Sequence, residues 1–228
     1  MHLVFKKITG PRKLWLILDS AYRAEEPDGL AIRGAIYALG AAGSSPGGTL
    51  QVLDFQSKKL KTVARSTFAA ELQSLHHGVS HGGLLLSFIS ECEFGPRAAE
   101  ELSSQLANGT LKIDMEACID AKSVYDAIIA ADGPKQCAEP HLQLHVLSSR
   151  EQLEAGMLRA LWWLDTRGML SDGLTKGGLD RNPILRLWTT GTWSLRGDRP
   201  TKWTAQPHPH TGASTSSDAS RLGKPDGR

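Results

Sequence analysis

The sequence predicts an α/β fold in which helices flank a mixed sheet of five strands. Three strand-like segments precede the first helix-like segment, and helices and strands alternate along the rest of the chain. This order is typical of a mixed sheet with helices packed against it. The chain has 228 residues, of which 40% are apolar, and this length and composition suit a single globular domain with short appendages.

The strand-like segments are identified by their apolar residues and by the turn residues around them. Residues 14–18 (LWLIL) form a continuous apolar run that ends at Asp19, which predicts a strand buried on both faces. Residues 30–39 and 50–55 follow as the second and third strands, separated by a glycine-rich loop. The last two strands are predicted over residues 111–120, ending at Asp120, and over residues 157–165.

The first helix-like segment carries an acidic residue on its apolar face. Ser66 or Thr67 can cap this helix, and its apolar residues recur at steps of three and four. Glu71 lies within the apolar stripe, so its carboxylate is expected on the face that packs against the sheet. The stripe consists of Phe68, Leu72, Leu75, Val79 and Leu86. Further helices are predicted over residues 96–107, 121–132, 141–156, 168–178 and 182–188.

The C-terminal end of the chain differs in composition from the centre. From Arg196 onward, Leu222 is the only large aliphatic residue amid Pro, Ser, Thr and charged residues. Such a segment cannot bury enough apolar surface to offset the entropy lost on ordering. We therefore predict an N-terminal extension over residues 1–13, a folded domain over residues 14–195 and a disordered tail over residues 196–228.

One dense basic cluster lies within the predicted domain. Residues 1–195 hold nearly equal numbers of acidic and basic residues, so a polyanion would have to bind at a local cluster. A solvated turn is the alternative interpretation of these charges. The cluster consists of Lys58, Lys59, Lys61 and Arg65.

Four acidic residues stand where a charge is costly unless it is compensated. Asp19 and Asp120 end strands, Glu71 lies in the apolar stripe, and Asp172 lies in the short helix after the last strand. Carboxylates that converge at strand ends repel one another unless they are protonated or bridged by a cation. Mg²⁺ supplies such a bridge, and two metal ions can support phosphodiester hydrolysis. Helix capping and solvent exposure are the alternatives, and spacing leaves both interpretations open.

Two segments of the chain resemble a known family. SKKLKTVARSTFAAEL (57–72) and MLSDGLTKG (169–177) resemble motifs of the ribonuclease H domain at the C-terminal end of copia-type retrotransposon polyproteins. RGAIYALG (33–40), CIDAKSVYDAI (118–128) and His141 with REQLEAG (150–156) occur in the order of that family. The resemblance extends from about residue 16 to residue 177.

The resemblance implies a fold, an activity and a set of functional residues. The fold would be ribonuclease H-like, and the activity would be endonucleolytic cleavage of the RNA strand of RNA/DNA hybrids with two Mg²⁺ or Mn²⁺ ions. A reverse-transcriptase polymerase domain is an expected partner. Asp19, Glu71, Asp120 and Asp172 would be the catalytic, metal-binding acids. Lys58, Lys59, Lys61 and Arg65 would contact nucleic-acid phosphates.

Two other functions are compatible with the sequence. The first is a catalytically inactive retrotransposon-derived domain that binds nucleic acid or a protein. The second is a zinc site formed by His76, His77 and His81, although the glutamate of an HExxH motif is missing. If the four carboxylates do not meet in the folded chain, the catalytic interpretation fails.

The expected environment is intracellular. No apolar run approaches the about 18 residues needed to cross a bilayer, so no membrane association is expected. The 3 cysteines are too few for a disulfide framework in a chain of this length, which favours a reducing compartment. The sequence leaves open the choice between cytoplasm and nucleus, and also the oligomeric state.

Overall fold

Six strands form the central sheet of the protein. A computed structural model describes residues 3–22, 30–132, 139–178 and 180–205. The strands in chain order are β1 (Arg12–Ala21), β2 (Ile32–Ala41), β3 (Gly48–Thr49), β4 (Gln51–Lys59), β5 (Asp114–Ile119), β6 (Ala160–Trp163), β7 (Thr192–Trp193) and β8 (Thr201–Trp203). The central sheet has the order β4-β2-β1-β5-β6-β8, while β3 and β7 form a separate antiparallel pair.

Helices flank this sheet. They are α1 (Thr67–Phe94), α2 (Ala99–Ala107), α3 (Lys122–Ile129), α4 (Pro140–Glu154), α5 (Asp172–Thr175) and α6 (Asn182–Thr190), with a 3₁₀ turn at Thr166–Gly168. None of the helices in the described part of the chain combines the length and the apolar character needed to span a bilayer.

The strand directions make the sheet mixed, as the sequence predicts. β1 is antiparallel to β2 and parallel to β5, and β5 is parallel to β6. β4 pairs antiparallel with β2 on one side, and β8 pairs antiparallel with β6 on the other. The predicted α/β class is confirmed, and the order β4-β2-β1-β5-β6 is consistent with a ribonuclease H-like fold.

The central strand β1 is buried on both faces because the sheet separates two apolar layers. Leu14, Leu16 and Leu18 pack into the larger cluster, which also contains apolar residues of α1. Trp15 and Ile17 point the other way, into a second cluster that contains apolar residues of α6. This alternation is the period-two pattern of a strand, and it explains why the whole run is apolar.

Two glycines bring α1 unusually close to β1. A Cβ atom on Gly78 would lie 2.5 Å from Leu18, and one on Gly82 would lie 2.7 Å from Leu16. Gly82 follows Gly78 in the helix, whereas its contact Leu16 precedes Leu18 in the strand, so α1 runs antiparallel to β1. The spacings match, because four helical residues advance about 6 Å and two strand residues about 6.6 Å. This packing directs the N-terminal turns of α1 toward the carboxyl end of β1.

The prediction that the chain is disordered from residue 196 onward is wrong for residues 201–203. Residues 201–203 form β8, the sixth strand of the sheet, and Trp203 packs against the larger core cluster. The Arg150 guanidinium lies 4.5 Å from the centroid of the Trp203 ring. The open edge of β6 supplies backbone partners that composition does not reveal. The predicted disorder of residues 206–228 lies outside the described residues.

The N-terminal segment also contacts the domain. β1 begins at Arg12, inside the segment assigned to the extension. The Val4 amide donates to the Trp188 carbonyl at 2.8 Å, and the Gln51 side chain donates to the Lys6 carbonyl at 2.7 Å. Part of this segment therefore lies beside α6 and the start of β4.

Candidate acidic site

Three carboxylates meet at the carboxyl ends of β1 and β5. Asp19, Glu71 and Asp120 each offer one oxygen, and these oxygens lie within 4.8 Å of one another. Ile17 and Cys118 are paired in the parallel β1–β5 ladder, so Asp19 and Asp120 each stand two residues further along their chains. The sequence predicts that these three acids converge together with Asp172, and the structure places these three together.

Helix α1 delivers Glu71 to this position. The Ser66 hydroxyl accepts a hydrogen bond from the Ala69 amide at 3.1 Å, which caps the helix. The Ser74 hydroxyl donates to the Asp19 carbonyl at 2.8 Å and joins the first turns of α1 to the end of β1. Glu71 is therefore buried, with 8% of its surface exposed.

The carboxylate of Asp19 is only half satisfied by the protein. Thr175 donates its hydroxyl proton to Oδ2 at 2.5 Å, whereas Oδ1 is buried and has no hydrogen-bond partner. Asp19 is 0% exposed. A buried carboxylate oxygen without a donor is costly, and a cation at Oδ1 would remove that cost.

A glycine opposite Asp19 makes the Thr175 contact possible. Gly34 pairs with Asp19 in the β1–β2 ladder. A Cβ on Gly34 would lie 2.7 Å from the Thr175 methyl and 2.8 Å from the Ser171 carbonyl. Neither role was predicted from the sequence, although a glycine inside a strand often marks a close approach and Thr175 belongs to the closing motif.

Asp172 lies beside this group but is not one of its members. Its side chain is buried at the start of α5, and its Oδ1 atom lies 2.5 Å from the Lys176 Nζ atom. Lys176 lines the same cleft of about 500 Å³ as Asp19, Glu71 and Asp120. The structure thus brings three of the four predicted acids together and pairs the fourth with a lysine.

The electrostatics of the site favour protonation when no cation is bound. Burial raises the pKa of Asp19 from 3.8 to about 8, and the charges of Asp120 and Asp172 act in the same direction. Burial and the charges of Asp19 and Asp120 raise the pKa of Glu71 from 4.5 to about 9. The pKa of Asp120 is also raised, chiefly by burial. Three buried carboxylates that raise one another's pKa suit a hard divalent cation, because its charge would offset their repulsion.

Lys58, the first residue of the basic cluster, lies at the same end of the sheet as the acids. Lys58 pairs with Arg33 in the β2–β4 ladder, and Arg33 pairs with Ser20 in the β1–β2 ladder. Two strand spacings, about 10 Å, therefore separate the Lys58 backbone from that of Ser20. Lys58, Lys59, Lys61 and Arg65 are all exposed. Arg65 lines a separate cleft of about 390 Å³ with His141 and His145.

The histidines do not form the alternative zinc site. His81 Nε2 lies 2.8 Å from an Asp54 oxygen, and the His76 ring packs against His145 with centroids 4.6 Å apart. Within the described residues, the only group of His, Cys, Asp and Glu side chains suited to a metal ion is Asp19, Glu71 and Asp120. The structure therefore argues against a zinc site at His76, His77 and His81.

Comparison of the chain with models of known families, with curated proteins and with solved structures gives no match. A function is therefore inferred from the chemistry of the acidic site and from the sequence segments that resemble copia-type ribonuclease H domains.

Proposed function

We propose that the protein is a metal-dependent endonuclease that hydrolyses the RNA strand of RNA/DNA hybrids, and that it derives from a copia-type retrotransposon polyprotein. The observation that carries this proposal is the convergence of Asp19, Glu71 and Asp120 at the carboxyl ends of two parallel strands. The unpartnered Asp19 oxygen within that group supports a cation as its missing partner.

The proposed metal ligands are the three clustered acids. When bound, Mg²⁺ or Mn²⁺ would activate a water molecule and stabilise the departing 3′ oxygen. Thr175 donates to one Asp19 oxygen, whereas the other is buried and has no donor, so it is available to a cation. Because the pKa values of Asp19 and Glu71 are raised, binding of a cation would release protons from these groups.

The proposed nucleophile is water, as the resemblance to ribonuclease H domains implies. No Cys or His side chain is among the described residues that line the cleft with the three acids. A covalent intermediate on one of those side chains is therefore not part of the proposal. In the proposed step the three carboxylates would hold the cation, water would form the new bond to phosphorus and lose a proton to solvent, and the bond from phosphorus to the 3′ oxygen would break, with that oxygen taking a proton from solvent.

The proposed substrate follows from the surroundings of the site and from the sequence resemblance. The row of Lys58 and Arg33 beside the cleft offers positive charge to a phosphate backbone. The choice of RNA/DNA hybrid comes from the resemblance to copia-type ribonuclease H domains. Recognition would depend on hybrid shape and the 2′-hydroxyl rather than on base sequence.

Cleavage of an end-labelled RNA/DNA hybrid by the purified chain tests this function. We expect cleavage of the RNA strand that requires Mg²⁺ or Mn²⁺ and is lost in Asp120→Asn. The matched control is Asp126→Asn, because Asp126 is a half-exposed acid on α3 paired with Lys122, and this variant should cleave normally. Hybrid binding without cleavage by the folded wild type would instead support the catalytically inactive domain.

A further inference from the structure

The backbone around Asp120 is held by the neighbouring strand. Trp163 is the last residue of β6, and it pairs with Ile119 in the parallel β5–β6 ladder. The Trp163 indole donates from Nε1 to the Asp120 carbonyl at 2.9 Å. The Leu164 amide donates to the Ile119 carbonyl, also at 2.9 Å. Two successive carbonyls at the end of β5, including that of Asp120 itself, are therefore bonded to the chain at the end of β6.

The carboxylate of Asp120 is held by a different residue. Thr166 begins the 3₁₀ turn and lines the cleft that contains the three clustered acids. The Thr166 hydroxyl donates a hydrogen bond to the Asp120 side chain. Thr175 makes a bond of the same kind to Asp19. A threonine thus holds each of the two aspartates that stand at the ends of neighbouring parallel strands.

The turn that carries Thr166 is itself fixed by contacts on either side. The Asp165 carboxylate accepts a hydrogen bond from the Arg167 amide at 2.9 Å and another from the Arg167 guanidinium at 2.6 Å. At the other end of the turn, the Trp193 indole donates to the Gly168 carbonyl at 3.2 Å. These contacts limit the movement of the turn and with it the movement of the Thr166 hydroxyl.

We propose that Trp163 and Thr166 position Asp120 for cation binding, Trp163 through the backbone carbonyl and Thr166 through the carboxylate. This inference rests on the proposed metal-dependent function, because it takes Asp120 to be a ligand. Both residues act through Asp120 and are positioning residues. Groups that hydrogen-bond to a metal ligand typically contribute about 10- to 100-fold to metal affinity, since they fix the orientation of the ligand.

Mn²⁺ titration of the full chain tests this role, with free Mn²⁺ measured by electron paramagnetic resonance. Thr166→Val keeps the size of the side chain and removes the donor, so we expect it to weaken Mn²⁺ binding about 10- to 100-fold. Thr166→Ser retains the hydroxyl and should retain the affinity of the wild type. Trp163→Phe keeps an aromatic ring without the indole N–H and should weaken Mn²⁺ binding by a similar factor.

Two matched variants show whether the lost hydrogen bonds are the cause. Thr189→Val removes an exposed hydroxyl that donates to the Leu185 carbonyl on α6. Trp188→Phe removes a buried indole N–H that has no hydrogen-bond partner among the described residues. Both variants should bind Mn²⁺ as the wild type does. Urea unfolding and circular dichroism check that every variant is folded at the temperature of the titration.

A cycle of single and double variants locates the effect at Asp120. If Thr166 acts through that carboxylate, Thr166→Val should weaken Mn²⁺ binding far less in an Asp120→Asn background than in the wild type. An equal loss of affinity in both backgrounds would overturn the positioning role of Thr166. A loss in Thr166→Ser as large as that in Thr166→Val would overturn it as well.

The remaining results separate this inference from the proposed function. Unchanged Mn²⁺ affinity in Thr166→Val or in Trp163→Phe would overturn the role assigned to that residue. In each of these cases the wild type still binds Mn²⁺, so the proposed metal-dependent function stands. No Mn²⁺ binding by the folded wild type would overturn both.

Discussion

Replacing Asp19 by Asn should stabilise the metal-free protein at neutral pH. Burial raises the pKa of the Asp19 carboxyl from 3.8 to about 8. The unfolded chain therefore releases this proton near pH 4, whereas the folded chain retains it up to about pH 8. Between these values the folded state binds more protons, so stability falls as pH rises, and the loss is complete above about pH 8.

The magnitude follows from the same two pKa values. A carboxyl with a pKa of 3.8 when unfolded and about 8 when folded costs on the order of 4 kcal/mol of stability at pH 7. At pH 4 the cost is less than about 1 kcal/mol. The side-chain amide of Asn does not ionise, so the variant does not lose this stability at any pH. Because local relaxation relieves part of the penalty in the wild type, we expect Asp19→Asn to gain about 1 to 4 kcal/mol at pH 7.

Urea unfolding at pH 4 and pH 7, with EDTA or with Mg²⁺, measures this effect. In EDTA, Asp19→Asn should be more stable than the wild type at pH 7 and nearly equal to it at pH 4. Mg²⁺ at 100 times its dissociation constant would add about 2.7 kcal/mol to the free energy of unfolding of the wild type and little to that of the variant. The stability difference between the two proteins would then become smaller or change sign. Asp126→Asn, whose carboxyl is 41% exposed, is the matched control.

Three results would refute this reasoning. If Asp19→Asn is less stable than the wild type in EDTA at pH 7, the carboxylate has a favourable partner that the contacts do not show. If the difference between the two proteins is the same at pH 4 and pH 7, ionisation of Asp19 is not its cause. An equal gain in Asp126→Asn would point to net charge rather than to the buried site.

Two further predictions concern the elements around the site. Gly34→Ala should destabilise the protein by about 1 to 3 kcal/mol and weaken Mn²⁺ binding, because the new Cβ would lie 2.7 Å from the Thr175 methyl. Gly178→Ala is the control, because the space at its Cβ position is open. Equal stability of the two variants in urea would contradict the packing of α5 against β2. Trp203→Ala should lower the free energy of unfolding by about 1 to 3 kcal/mol and leave Mn²⁺ binding unchanged, and an unchanged urea midpoint would argue against β8.

Much of the site could be predicted from the sequence because apolar residues follow the strand and helix periods and because buried carboxylates are costly. The run at residues 14–18 has no polar position because both faces of β1 are covered. Asp19 directly after that run, and Glu71 inside an apolar stripe, are anomalies that a folded chain has to compensate. Asp120 directly follows the neighbouring parallel strand β5, so the same rule of strand ends locates it.

The features that were not predicted depend on contacts between distant segments. β8 has three residues, and it forms because the edge of β6 offers backbone partners, not because of its own composition. The hydrogen bond from Thr175 to Asp19 joins residues 156 positions apart, and no local pattern indicates it. The pairing of Asp172 with Lys176 has the spacing of a helical ion pair, but the family resemblance assigned Asp172 to a metal instead.

The close approach of α1 to β1 at Gly78 and Gly82 has a consequence for the order of folding. The acids of the site come from a strand, a helix and a second strand that are each about 50 residues apart in the chain, at Asp19, Glu71 and Asp120. Contacts of such sequence separation close large loops and form slowly. The three carboxylates can meet only after the helix has docked and the parallel strands have paired, so Mn²⁺ binding at the proposed site during refolding would report completion of the tertiary structure rather than collapse.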